Sequence, residues 1–238
     1  MASRCVQIET SIDRVSRPAR AHAQARRWAV GRLDKVLPEE IAPGLFRWTA
    51  PHPDFDAHAV PDSPGDWAQD VGSTIYEAPD AVVLIDPLLP SDGGERFLDT
   101  LDALIAARPV SILTTNRWHR RDREELAERY RSTTRRAWNA VPPGVVPRPL
   151  RGAAETMYWL PGVAALVAGD RLLGDGAGGL RLSPQSWLEC VQVDRAGLAE
   201  LMRPLLELPI ERVVVSHGEP LLHDGRAAIA RAIAEARQ

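Results

Sequence analysis

Apolar and polar positions in this chain form short blocks whose period changes along the sequence. Ile41-Ala42-Pro43-Gly44-Leu45-Phe46-Arg47-Trp48 reads as a strand signal around a Pro-Gly turn, and residues 51–66, rich in Pro, Asp and His, read as a loop. The apolar runs 73–77 and 81–85 flank Ala78-Pro79-Asp80 and predict a hairpin whose second strand stops at Asp86-Pro87. Phe97, Leu98, Leu101, Leu104 and Ile105 then fall at helical spacing within 94–107. Arg108-Pro109 closes that helix, because a residue before proline avoids the α region.

Residues 110–114 are strand-like, and 122–131 predict a charged helix with Leu126 and Tyr130 four apart. A Pro-rich crossing is expected at 141–149. Short strands follow at 163–168 and 171–173, around Gly169-Asp170. Leu198, Leu201, Met202, Leu205 and Leu206 predict an amphipathic helix, residues 213–215 a strand, and 227–236 a last helix. Strand pairs followed by helix, strand and helix recur in both halves, with no repeat in the sequence itself. The expected class is α+β: a four-layer αββα sandwich of two mixed sheets with flanking helices.

Charge divides the chain. Residues 1–35 carry eight basic groups against Glu9, Asp13 and Asp34, a balance of +5 within an overall −3. Large apolar residues are few there and Pro18 interrupts any helix, so residues 1–37 are expected to be a disordered basic leader and 38–238 the folded domain. Only Lys35 among 29 basic side chains is lysine, which with the abundant Ala, Gly and Pro points to a GC-rich bacterial genome and away from a transit peptide. No apolar run approaches the roughly 20 residues that span a bilayer, so no membrane partner is expected. Two cysteines, Cys5 and Cys190, are too few for a disulfide scaffold, and a reducing cytoplasm is the expected setting. The acidic body argues against a nucleic-acid partner. Eight arginines against four acids within 117–136, near Trp118, Tyr130 and Trp138, could contact a single strand; Glu124, Glu125 and Glu128 interleave with them, which favours a salt-bridged helix.

Candidate chemistry gathers at three strand ends: Thr114-Thr115-Asn116-Arg117-Trp118-His119-Arg120-Arg121-Asp122, Gly169-Asp170 and Ser216-His217-Gly218. Together with the hairpin ending in Leu84-Ile85-Asp86-Pro87 and the helix after it, these segments resemble the metallo-β-lactamase fold superfamily over residues 38–236. The resemblance implies a sandwich whose edge carries a His-x-His-x-Asp-His motif, a later His, a Gly-Asp turn and a last His around two metal ions. Such ions activate water and polarise the scissile bond. The implied activity is hydrolysis of an ester, thioester or lactone as the small-molecule substrate.

The motif is degenerate. With Thr115 as the residue before it, Asn116, Trp118, Arg120 and Arg121 stand at its ligand positions, and no histidine lies between 120 and 216. Asp170 and His217 match the family positions. A one-residue shift adds His119, and Asp122 lies three further on. These four are the expected metal ligands, for one Zn or Fe ion if any. The alternative is an inactive homologue that binds a small acidic ligand in the old cleft. There Arg117, Arg120 and Arg121, with Trp118, would take the acidic ligand or replace the metal charge by pairing with Asp170.

The remaining candidates read as incidental. His52 and His58 belong to a polar loop, His22 to the leader and His223 to a loop near Asp224. Cys190 has no neighbour to lower its pKa. Residues 174–179 are glycine-rich but lack the lysine and the ensuing helix of a phosphate loop. Ser183 lacks the strand-turn-helix setting of a hydrolase serine.

Overall fold

The computed structural model describes residues 37–61, 63–135 and 141–236, with the side chains of 133–135 excepted. The expected leader, apart from Leu37, and Trp138 of the basic patch lie outside the described residues. The first sheet runs in chain order through β1 (Glu39–Ala42), β2 (Leu45–Pro51), β3 (Asp70–Glu77), β4 (Val82–Ile85), β5 (Val110–Leu113) and β6 (Thr133–Arg135). Strands β1 to β4 pair antiparallel with one another, whereas β4 with β5 and β5 with β6 pair in parallel through α1 (Gly94–Ile105) and α2 (Arg123–Arg129). The second sheet holds β7 (Val146–Leu150), β8 (Glu155–Leu160), β9 (Ala165–Ala168) and β12 (Arg212–Val215) in the order β12-β9-β8-β7. Only β12 and β9 are parallel there. A hairpin, β10 (Leu172–Gly174) with β11 (Leu180–Leu182), stands apart from both sheets.

The side-chain period of two along each strand sorts the apolar residues into three layers. Val83, Ile85 and Leu113 from the first sheet meet Tyr158, Leu160, Val167 and Val214 from the second, forming the core between the sheets. The alternate residues Val82, Leu84 and Ile112 face outward onto Phe97 and Leu101 of α1 and Leu126 of α2. On the far side, Met157, Trp159, Leu166, Val213 and Val215 face α3 (Arg195–Met202) and α4 (Gly225–Glu235) through Leu198, Met202, Ile229 and Ile233. The molecule is therefore the αββα sandwich expected from the pattern.

Two departures have clear causes. Residues 146–150 of the expected Pro-rich crossing form β7, where Pro147 and Pro149 are tolerated because β7 is an edge strand with one partner. Strand β8 gave no alternating signal because all six of its residues are buried, between sheet partner on one side and helices on the other. Where the strands end decides the chemistry: Asp86 follows β4, Thr115 to His119 follow β5, Asp170 follows β9 and His217 follows β12.

Candidate functional site

Building the site begins with the turn after β5. Asn116 Oδ1 accepts the N–H groups of Trp118 (2.9 Å) and His119 (3.1 Å), an Asx turn that closes one tight loop and sends the fourth residue inward. His119 is consequently buried, 5% exposed, while Arg117 and Trp118 face out. Behind it stands Asp86, held at φ 51 in the left-handed region at the end of β4. Asp86 accepts the Thr115 N–H at 2.7 Å and the Thr115 hydroxyl at 2.5 Å, and its Oδ2 lies 2.8 Å from His119 Nδ1. A carboxylate on Nδ1 fixes both the ring plane and the tautomer, and so directs Nε2 into the cleft.

Across the cleft, Asp170 sits in a turn gathered by a buried carboxylate. Glu155, at the head of β8, accepts the N–H groups of Gly169 (3.1 Å), Asp170 (2.6 Å) and Arg171 (3.0 Å). Residue 169 must be glycine, since a Cβ there would stand 2.3 Å from Thr115 Oγ1. Asp170 Oδ2 takes a hydrogen bond from Asn116 Nδ2 at 2.9 Å. Its Oδ1 lies 2.9 Å from His119 Nε2 and 3.3 Å from His217 Nε2. These are ion-pair contacts: among the described residues neither Asp170 Oδ1 nor His217 Nδ1 has a hydrogen-bond partner.

Burial and charge act in opposite directions here. Burial alone would push His119 down, but the Asp170 and Asp86 carboxylates on either side overcome it and raise its pKa to about 9. Asp170 is held well below the usual carboxylate range: its burial opposes this, and His119 and His217 outweigh it. For His217 burial prevails over Asp170 and the pKa falls. Glu155 is pushed up to about 7 by burial and by the charge of Asp170, against the pull of Arg171 and its N–H donors.

The arginines do not replace a cation in the way the sequence suggested. Arg121 donates through Nη1 to the carbonyls of Gly72 and Asp86, both at 2.8 Å, and through Nη2 to Ser216 Oγ at 3.0 Å. Arg120 pairs with Glu124 on the surface at 2.8 Å, and Arg117 stacks over the Trp118 ring at 4.4 Å. The expected Arg–Asp170 pair is made instead by His119 and Asn116, because the Asx turn points arginines 117 and 120 outward and the strand-end carbonyls take Arg121. Asp122 is also diverted: its Oδ2 accepts the Leu89 N–H at 2.5 Å, which ties the loop after β4 to α2 and leaves it out of the donor cluster. The basic segment resolves into a salt-bridged helix, with Arg120 and Arg123 on Glu124 and Arg129 on Asp102.

One donor from each of His119, Asp170 and His217 lies within 4.8 Å of the others, and among the described residues no second such group occurs. Two imidazoles and a carboxylate fit a single Zn or Fe ion, with His119 oriented from behind by Asp86. The unmatched Asp170 Oδ1 fits the same role. They do not fit two ions, since Asn116, Trp118, Arg120 and Arg121 bring no anionic or imidazole donor.

The cluster forms the floor of a cavity of about 570 Å³ whose walls include Trp67, Trp118 and Trp187. Trp187 and Trp67 meet the His217 ring edge to face at 5.2 and 5.9 Å. In the sequence Asp86 signals only a strand stop and Glu155 is a lone acid heading an apolar run, so neither stands out. His52, which the sequence places in a polar loop, lines this cavity.

No family model matches the sequence, and no curated protein matches it by sequence. Solved structures do match. A metallo-β-lactamase from Erythrobacter litoralis shares 13% identity, with 84% of this chain and 91% of that one aligned at a TM-score of 0.55. One from Pontibacter korlensis is 13% identical over 84% and 98% at 0.52. A metallo-β-lactamase family protein from Thermus thermophilus is 17% identical over 83% and 81% at 0.50. At such identities the likeness is one of architecture, and it agrees with the layers and strand ends described above: this chain has the metallo-β-lactamase fold.

Proposed function

We propose that the chain is a single-metal hydrolase of this fold, acting on an ester, thioester or lactone. One observation carries the proposal: His119 Nε2, His217 Nε2 and Asp170 Oδ1 converge at the floor of an open cavity, and Asp86 holds the first of them in the tautomer that a ligand needs. A bound ion supplies Lewis acidity and an activated water. The protein supplies the rest. Asp86 keeps the proton on His119 Nδ1, and Glu155 fixes the Gly169-Asp170 turn. Asn116 orients the second oxygen of Asp170, and Trp67, Trp118 and Trp187 wall the cavity above the floor.

Elemental analysis after purification in zinc or iron medium is expected to find about one ion per chain, the stoichiometry of one three-ligand site. Loss of that ion in Asp170→Ala and His217→Ala, together with hydrolysis of a thioester and lactone panel by the loaded wild type, completes the test. A protein that stays metal-free and inactive after loading overturns the proposal. Binding should also stabilise: a free ion concentration 100-fold above Kd adds about 2.7 kcal/mol to unfolding.

A second reading rests on His119. Charged between Asp86 and Asp170, it balances the cleft without an ion. The chain would then be a catalytically inactive binding protein that uses the same cavity for a small ligand, with an imidazolium rather than an arginine in place of the metal charge. Metal content separates the two readings.

A further inference from the structure

The cavity above the donor cluster is built for one kind of guest. Its aromatic wall is continuous: His52 meets Trp67 edge to face at 5.0 Å, Phe55 supports Trp67 from behind at 5.9 Å, and Trp67 and Trp187 flank His217. Its two lining arginines spend most of their donors on the protein itself. Arg121 uses both terminal nitrogens on Gly72, Asp86 and Ser216. Arg171, 1% exposed, donates to the carbonyls of Ala153 (2.9 Å) and Trp187 (3.0 Å). The lining carboxylates that remain in solvent, Asp54 and Glu189, are exposed and anionic. An anion entering this cavity meets no lining arginine with all its terminal nitrogens free, and it passes two carboxylates.

His52 supplies the polar handle. Its Nδ1 accepts the Asp54 N–H at 3.2 Å, so in the neutral ring the proton sits on Nε2. Burial first, then Arg121, hold the ring neutral by lowering its pKa to about 4. A neutral imidazole with Nδ1 occupied by the backbone is a hydrogen-bond donor of fixed identity on the cavity wall.

We propose that this cavity selects an uncharged substrate with a flat aromatic group, held against Trp67 and Trp187, and that His52 Nε2–H donates to the carbonyl oxygen of that substrate. The inference deepens the hydrolase reading by naming the substrate class of the same site, and His52 is its specificity-determining residue. Aromatic surfaces gain from stacking and edge contacts on indole, beyond the area they bury. A half-buried donor disfavours guests that leave it unpaired.

The test is binding, read apart from turnover. Three probes are titrated into the full chain by calorimetry: 2-naphthamide, which is neutral and flat; 2-naphthoate, flat and anionic; and decahydronaphthalene-2-carboxamide, neutral and saturated. 2-Naphthamide is expected to bind about tenfold more tightly than either of the others. Trp187→Ala should remove that preference for the flat probe. His52→Ala should weaken 2-naphthamide about fivefold to tenfold and His52→Gln, which keeps an N–H donor, should recover much of it. Far-ultraviolet circular dichroism of each variant confirms that it is folded. Naphthoate binding as tightly as the amide, or a His52→Ala variant with unchanged affinity, overturns the inference. The same probes in metal-free protein keep the two proposals apart. Selective probe binding by a protein that stays inactive on the ester, thioester and lactone panel after zinc or iron loading sinks the hydrolase reading and leaves this one standing. Hydrolysis of saturated or anionic esters with no aromatic preference does the reverse.

Discussion

At the scale of single residues, the centre of the molecule is one imidazole between two carboxylates. His119 has an ordinary pKa of 6.5 raised to about 9 in the metal-free fold, because Asp170 and Asp86 outweigh burial. A base whose folded pKa is raised contributes its stability fully below the unfolded pKa and loses it as pH climbs through the folded one. Metal-free protein in chelator should therefore lose resistance to urea progressively as pH climbs from about 6.5 towards 9. Urea midpoints measured across that window check this, and His119→Asn should flatten the slope. A midpoint that rises with pH there contradicts the charged His119. This residue was only partly legible in the sequence. Its distance from Asn116 was plain, but the Asx turn that points it inward depends on which way a side-chain oxygen bonds, and a composition of residues does not carry that.

At the scale of elements, the pattern of apolar positions foretold most strands and helices; it missed the three-residue β6 and β11, and two physical rules hid β7 and β8. Strand β8 lost its alternation by being buried on both faces, and β7 was masked by prolines that only an edge position permits. Glu155 went unseen with β8. Its role becomes clear only when β9 lies beside β8 and the 169–171 turn folds over its carboxylate. Gly169 is the element-scale consequence of that packing. Gly169→Ala puts a methyl group against the Thr115 hydroxyl, and overpacking of this kind costs about 1–3 kcal/mol. Thermal unfolding should record a lower Tm for this variant, and reconstituted protein should show weakened metal retention, since Asp170 is the next residue. An unchanged Tm would show that the turn gives way more easily than its contacts imply.

At the scale of the whole molecule, the two sheets are joined by polar contacts along the rim that carries the site. Gly72 N–H donates to the Ser216 carbonyl at 2.7 Å, Arg47 reaches the Gly218 carbonyl at 2.7 Å, and Arg121 links Gly72 and Asp86 to Ser216. Arg121 itself sits at φ 42, a backbone conformation that its three acceptors hold in place. Arg121→Met removes the link and leaves buried carbonyls with one partner fewer, at a cost of about 1–3 kcal/mol. Arg121→Lys should recover little, because an ammonium lacks the planar fork that reaches across the rim. Chemical denaturation of both variants measures the difference, and full rescue by lysine would show that charge alone matters here. No helix among the described residues is long and apolar enough to cross a membrane.

The donor set is divided along the chain as well as across the rim. Asp86, Asn116 and His119 lie before β6, and Glu155, Asp170 and His217 lie after β7. A chain severed between β6 and β7 would therefore yield two pieces, each holding an incomplete set of ligands and one sheet of the sandwich. Under the single-metal proposal, neither piece alone would offer all three donors, and only the rejoined pair would. Metal capture in this molecule would then act as a coincidence detector for correct assembly, responding only when both halves have folded and met.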